Sequence, residues 1–437
     1  MDGLKRAMTL PGLTLLAAGA CIGSGIFMTP NAVAAEIGRA DWILAAWSLG
    51  GVISLTGALS YAELGAMFPQ AGGVYVYIRE AMGKLPAFLY GWVFLTVINT
   101  GALAGLGIGL TGFLGYYIEM SAVAQMLTAI TVIISLSLIN VLGINVSQWL
   151  ISGLTTIKIT VLIAIVVLAL SLGEAPASAL QEGALRDFKV SGFFAALVGV
   201  LWSFGGWYHA TFLAGETREP QRTVPRALVM GVLLVTVVYV GANWAYMKSL
   251  SMDSLIGSER VAADAVGAIL PMAGKVVSAM VILSIVGTIS IYTMSAPRIY
   301  FAMARDGIFF KSLARIHPTY RTPHVAIIVQ AFLAVLLLLL WKTFSNLITY
   351  VTFIDMVFLL LGGVCLFIFR RTRPQLDRPF RLPLAGVVTG FFLLSGMAFV
   401  VSVLIERPIQ SIAGLAVLAS GVVVYYIYRA IGNRAAE

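Results

Sequence analysis

Long apolar runs follow one another along nearly the whole chain, and short polar segments divide them. A helix needs ~20 predominantly apolar residues to cross a bilayer core. By that measure spans are predicted at roughly 9–36, 41–66, 85–117, 122–142, 149–172, 191–215, 224–247, 264–303, 324–341, 346–369, 383–405 and 409–429. Val276–Pro297 holds no charged residue, and neither does Val325–Trp341. The fold class read from this pattern is all-α integral membrane, with about 12 transmembrane helices. The longest outer segments, roughly 173–190 and 248–263, are too short for a soluble module, so residues 1–437 read as a single transmembrane domain.

Composition sharpens this reading. Of 437 residues, 60% are hydrophobic and only 11% charged, with a mean hydropathy of +0.96. A soluble domain carries roughly a quarter charged residues. The net charge of +9 would suit a nucleic-acid partner, but its distribution argues for topology instead. With the N-terminus inside, 19 of the 28 Lys and Arg fall on the inner side and 8 on the outer, and Lys158 lies within the fifth span. Arg298–Arg321 and Arg370–Arg381 are the richest segments. Such asymmetry places both termini in the cytoplasm, the short termini and compact loops suit a cell inner membrane, and no nucleic acid is expected. The two cysteines, Cys21 and Cys365, lie inside spans, so no disulfide is expected. Met1–Met8 shows no small-residue cleavage site.

Two spans are interrupted at matching places. The first reads Gly19-Ala20-Cys21-Ile22-Gly23-Ser24-Gly25-Ile26-Phe27, and the sixth reads Trp202-Ser203-Phe204-Gly205-Gly206-Trp207. Glycine-interrupted segments in corresponding positions of two halves point to a transporter binding site. A break leaves free N–H groups on one half-helix and free C=O groups on the other. The first suits a carboxylate and the second an ammonium, which a zwitterionic amino acid supplies together. The competing reading makes Gly-Ser-Gly a helix-packing motif, because small residues are common at membrane interfaces.

Three stretches carry a family resemblance. They are Gly19–Pro30; Tyr61-Ala62-Glu63-Leu64-Gly65 with Pro69, Gly72–Tyr77 and Glu80–Gly83; and Trp202–Trp207 with Gly215–Pro220 and Val224-Pro225. Together with Arg298–Gly307 they resemble the amino acid–polyamine–organocation superfamily, near its L-type amino acid transporter branch. The resemblance implies a five-plus-five inverted repeat (9–172 and 191–369) with discontinuous helices 1 and 6, followed by two extra helices over 383–429. It implies that the N–H groups of Ser24, Gly25 and Ile26 hold a substrate carboxylate. The carbonyls of Cys21, Trp202 and Ser203 would hold its amino group. Trp202 would close as an aromatic gate, with Gly205 and Gly206 leaving room for the side chain.

Several polar residues within spans each admit two readings. At the bilayer centre Lys158 would cost on the order of 2.5–3.5 kcal/mol, so a role is expected by default. It lies only ~14 Å of helix from Trp149, which also allows snorkelling. The resemblance implies instead that its amine reaches the first-helix break and substitutes for a sodium ion. Asp355 reads as a structural hydrogen-bonding group, with proton coupling the alternative. Glu63 and Glu216, beside Arg-rich segments, read as structural pairs holding an inward gate. His209 and Tyr208 follow the second break, and packing explains the histidine better than substrate contact. Ser284 and Thr288 are placed to approach Lys158 and the first helix.

Three histidines and two cysteines form no zinc spacing, and no nucleophile elbow, Walker loop or dinucleotide fingerprint occurs. No enzyme, metal or cofactor is expected. The expected function is secondary transport by alternating access: sodium-independent exchange or facilitated transport of neutral L-amino acids across the lipid bilayer. The alternatives are proton-coupled symport and a non-transporting sensor or channel. Without a cysteine in an outer segment, no disulfide-linked accessory chain is expected.

Overall fold

The computed structural model describes residues 4–173, 189–340 and 344–434, excluding the side chains of 144–146, 344–348, 410 and 431–434. Most of the expected outer segment 173–190 lies outside the described residues, as does Trp341. Among the described residues the regular elements are all helices, with one isolated bridge between Met8 and Thr217. Among the described residues eleven helices are long and apolar enough to cross a membrane, and a twelfth, His324–Leu340, is shorter.

The first span, Leu10–Met28, starts where Thr9 accepts the Gly12 N–H and Pro11 occupies the opening turn. Proline suits that turn because its missing N–H would be unpaired there anyway. The chain does not continue to residue 36 as one helix. Helix stops at Cys21, resumes over Gly25–Met28, and a separate helix runs from Pro30 to Ile37. The sixth span divides likewise into Val190–Phe204 and His209–Phe212.

Elsewhere the expected boundaries need correction. The eighth run, 264–303, is not continuous: Val261–Ile269 is a separate helix and the span proper begins at Ala273. Pro271 lies between them. Its missing N–H and its clash with the preceding turn end the helix, although apolar composition continues across it. Two polar connections also hold helices, Val74–Met82 and Met252–Gly257. Within the third span, Lys84–Leu114, a π turn over Phe94–Ile98 precedes Asn99.

The seventh span, Pro220–Ser249, packs along the second, Ala40–Met67, and against the first. The eighth, Ala273–Arg305, packs between the third and the fifth, Ser147–Leu172. Both broken spans are thereby enclosed by intact ones. Irregular backbone is tolerated at membrane depth only in such surroundings.

Candidate functional site

At the first break the helical ladder ends in a controlled way. Ile22 N–H still reaches the Ala18 carbonyl at 2.9 Å, and Gly23 N–H turns back to Cys21 at 2.8 Å. The next acceptors serve Phe27 and Met28, both bonded to the Ser24 carbonyl. Among the described residues, nothing accepts from the N–H groups of Ser24, Gly25 or Ile26. Three converging free donors are what an anion needs.

On the carbonyl side, the amine of Lys158 already reaches the break. The Lys158 ammonium donates to Gly19 O at 2.9 Å, to Ile22 O at 2.7 Å and to the Thr288 hydroxyl at 2.9 Å. Thr288 also donates toward those same two carbonyls at 3.0 and 2.9 Å, and Ser284 toward Ile22 O at 3.3 Å. Lys158 is 1% exposed, so snorkelling is not what the side chain does. The fifth and eighth spans therefore converge on the break, as the positions of Lys158, Ser284 and Thr288 suggested.

The second break carries the left-handed residue Gly206, at φ 105°. A Cβ there would stand 2.7 Å from the Tyr292 hydroxyl and 2.8 Å from Ala20 O, so only glycine lets the two broken spans approach. Tyr239, on the seventh span, was missed by sequence reading. Its hydroxyl lies within hydrogen-bonding distance of Cys21 O at 2.8 Å and Ser203 O at 3.0 Å, fastening one broken helix to the other. No local pattern marks a lone tyrosine in an apolar span for that role. Two of the three carbonyls implied for an amino group thus already face a donor, while Trp202 O accepts Gly205 N–H at 3.1 Å.

Gly25 serves packing as well as approach. A Cβ on it would lie 2.5 Å from Ser203 Oγ and 2.7 Å from Ser203 Cα. The two readings of Gly-Ser-Gly are therefore not exclusive. Cys21 acts as a small filler whose thiol points to Ala17 O and Phe204 O. His209 is buried, bonded to Ser295 at 2.6 Å and stacked on Tyr292 at 4.3 Å.

Beside the second break lies a cavity of about 30 Å³, bordered by Trp202, Gly205, Tyr208, His209, Asn99 and Asp355 among others. Trp202 is half-buried at its edge. The Tyr208 hydroxyl donates to Asp355 Oδ2 at 2.7 Å, linking the sixth and tenth spans.

At the Arg-rich end, ion pairs close the molecule. Arg298 clasps Glu216 through two nitrogens, at 2.6 and 3.1 Å, with both side chains buried. Glu63 takes Arg370 at 2.6 Å, Arg378 at 3.3 Å and the Leu382 N–H at 2.7 Å. Asp306 accepts from Tyr75 at 2.7 Å and pairs with Arg79, which reaches Glu80 at 2.8 Å. Arg373 joins from the end of the tenth span, 3.3 Å from Glu80. Partial burial works against ionisation of Glu80, but Arg79 and Arg373 outweigh it and hold the carboxyl below its usual range.

Twelve apolar helices with two apposed, broken members make the architecture of a secondary membrane carrier. The comparisons specify the family. The family model described as amino acid permease matches residues 8–427. The chain is 30% identical to the serine/threonine exchanger SteT of Bacillus subtilis (strain 168), covering 97% of each protein. It is 28% identical to the human cystine/glutamate transporter, over 97% of this chain and 85% of that protein. To the large neutral amino acids transporter small subunit 2 of Rattus norvegicus it is also 28% identical, over 97% and 81%. The chain belongs to the amino acid permease family, within the amino acid–polyamine–organocation superfamily, and is a multi-pass membrane transporter of amino acids rather than an enzyme.

Proposed function

We propose that this transporter exchanges or passively conducts neutral L-amino acids without sodium. The observation that carries the reading is the Lys158 ammonium seated on Gly19 O and Ile22 O, where a fixed positive charge supplies what a bound cation otherwise would. The free N–H groups of Ser24, Gly25 and Ile26 take the substrate carboxylate. Carbonyls of Cys21, Trp202 and Ser203 receive the ammonium: Trp202 O and Ser203 O keep a second lone pair beside Gly205 N–H and Tyr239, and at Cys21 O, which also accepts from Gly23 N–H, the ammonium takes the place of the Tyr239 hydroxyl. Trp202 moves over the bound substrate, and Gly205 leaves space for its side chain. Exchange is the mode named for SteT, which supports it here.

In this reading residues 9–172 and 191–369 are inverted repeats, and 383–429 adds two helices. Both termini face the cytoplasm, since the Arg-rich segments gather at one end. The chain works in a cell inner membrane without a disulfide-linked partner, because Cys21 and Cys365 are both buried.

The buried carboxyl of Asp355 favours a second reading, proton-coupled uptake. Flux of a labelled neutral amino acid into proteoliposomes separates them. Stimulation by internal amino acid, without response to sodium or a proton gradient, is the expected result. Stimulation by an inward proton gradient in empty vesicles would establish symport. Saturable binding with no flux would make the protein a sensor.

A further inference from the structure

A cavity of about 260 Å³ lies at the Arg-rich end, bordered by Gln70, Arg79, Phe301, Ala302, Arg305 and Asp306 among others. None of these residues belongs to either helix break. The walls come from two elements. One is the connection after the second span, whose helix Val74–Met82 carries Arg79; the other is the end of the eighth span, where Asp306 follows Arg305. Gly72 N–H reaches Phe212 O at 3.2 Å, so the same connection is also tied to the end of the sixth span. Phe301 and Ala302 are buried, whereas the side chains of Arg79 and Asp306 are 20% and 28% exposed and meet water.

Asp306 uses only one of its oxygens on its neighbours. Oδ2 accepts from Tyr75 and from Arg79, while Oδ1 has no hydrogen bond among the described residues. Opposite charges therefore stand side by side around a space close to the ~300 Å³ at which small-molecule pockets begin. A simple anion on the guanidiniums would face Asp306, and a simple cation on Asp306 would face the guanidiniums. Like charges so placed work against binding. A ligand that carries both charges on one head group meets both walls.

We propose that this cavity is a second amino acid site, reached from the cytoplasmic side, whose zwitterionic ligand competes with the pairing of Arg79 and Asp306. The inference rests on the carrier reading and the orientation proposed above. The ligand's ammonium donates to Asp306 Oδ1, and its carboxylate accepts from Arg79 and Arg305. Both of its ends thus draw on one ion pair, which fastens the connection after the second span to the eighth span. An amino acid on the cytoplasmic side prepares that face to open before any reaches the breaks. Dependence on internal substrate, the mark of an exchanger, then has a place in the structure.

Gln70→Cys puts a thiol on the cavity wall, and a maleimide reports its occupancy because Cys21 and Cys365 are buried. The purified full-length protein would be labelled with L-alanine as the probe, and with propionate and alaninamide as its single-charge counterparts. Alanine at about ten times its dissociation constant should slow labelling by about tenfold, and each counterpart at equal concentration should leave the rate nearly unchanged. Adding Asp306→Asn should abolish the protection. Adding Gly25→Val, which fills the site at the first break, should preserve it; if that variant does not fold, the three probes still decide. Ser295→Cys, buried behind the closed face, should label faster over the same alanine concentrations that protect the first thiol. No protection by alanine, equal protection by propionate, or protection that survives Asp306→Asn would each overturn the proposal. So would an unchanged rate at Ser295→Cys. Loss of protection in a Gly25→Val protein that labels normally without alanine would also overturn it, because the effect would then be relayed from the breaks. Protection in a protein with no saturable flux for any amino acid would leave this site standing and defeat the carrier reading instead.

Discussion

Lys158 shows how far one residue can be read from sequence. Its cost inside a span marked it, and the spacing left snorkelling open. The structure decides the matter, because the ammonium finds three acceptors at the first break within 2.9 Å. Lys158→Ala removes that charge while Thr288 keeps its contacts with Gly19 O and Ile22 O. Hydrogen bonds to charged groups contribute about 1.5–3 kcal/mol, so flux should fall by about tenfold or more. Added sodium should restore part of it if the lysine substitutes for a cation. Proteoliposome uptake with and without sodium reads both, and unchanged flux would leave Lys158 a structural pin. Tyr239 gives the opposite lesson. It carries no charge, and only the packing of the seventh span against the breaks gives it work.

At the scale of elements, the two breaks were legible because glycine pairs interrupt otherwise apolar runs. Their mutual contact was not. Gly25 lies against Ser203 so closely that any side chain collides with backbone as well as hydroxyl. Gly25→Val should therefore do two things. Amino acid binding should be lost as the carboxylate site fills, and the melting temperature should drop because the first and sixth spans are forced apart. Overpacking of this kind costs about 1–3 kcal/mol. Binding and thermal unfolding measured on the same purified sample would check both, and wild-type affinity would remove Gly25 from the site. The misplaced start of the eighth span has a simpler cause. Hydropathy averages over Pro271, whereas the backbone stops there.

For the whole molecule, the ion pairs at the Arg-rich end tie the second, sixth, eighth and tenth spans into one closed face. In the alternating-access reading proposed above, those ties open together. Glu80 gives this closure a pH dependence of definite sign. Its carboxyl is held below the usual range, so its contribution is fully present above the ordinary glutamate pKa. The contribution is lost as pH falls through the depressed value. Cysteine labelling at a site engineered behind this face should accelerate in that acidic window. In Glu80→Gln the acceleration attributable to Glu80 should be missing, with faster labelling already at neutral pH. Identical labelling profiles for the two proteins would assign closure to the buried Glu216–Arg298 and Glu63 pairs alone.

The sequence by itself determined what its solvent must be, how many times it crosses and where its backbone breaks. Those follow from local quantities: apolar length, charge asymmetry, and glycine or proline within a run. It also marked the charged residues, because a charge inside a span needs a reason wherever the span packs. Tertiary structure alone decided which groups meet. Carbonyls freed at residue 19 found an amine from residue 158, and a tyrosine at 239 came to bridge residues 21 and 203. That Asn99 and Asp355 border one small cavity is likewise a matter of packing. Uncharged polar side chains give no sign in sequence of where they will be left unsatisfied, since that depends on which helix lies opposite.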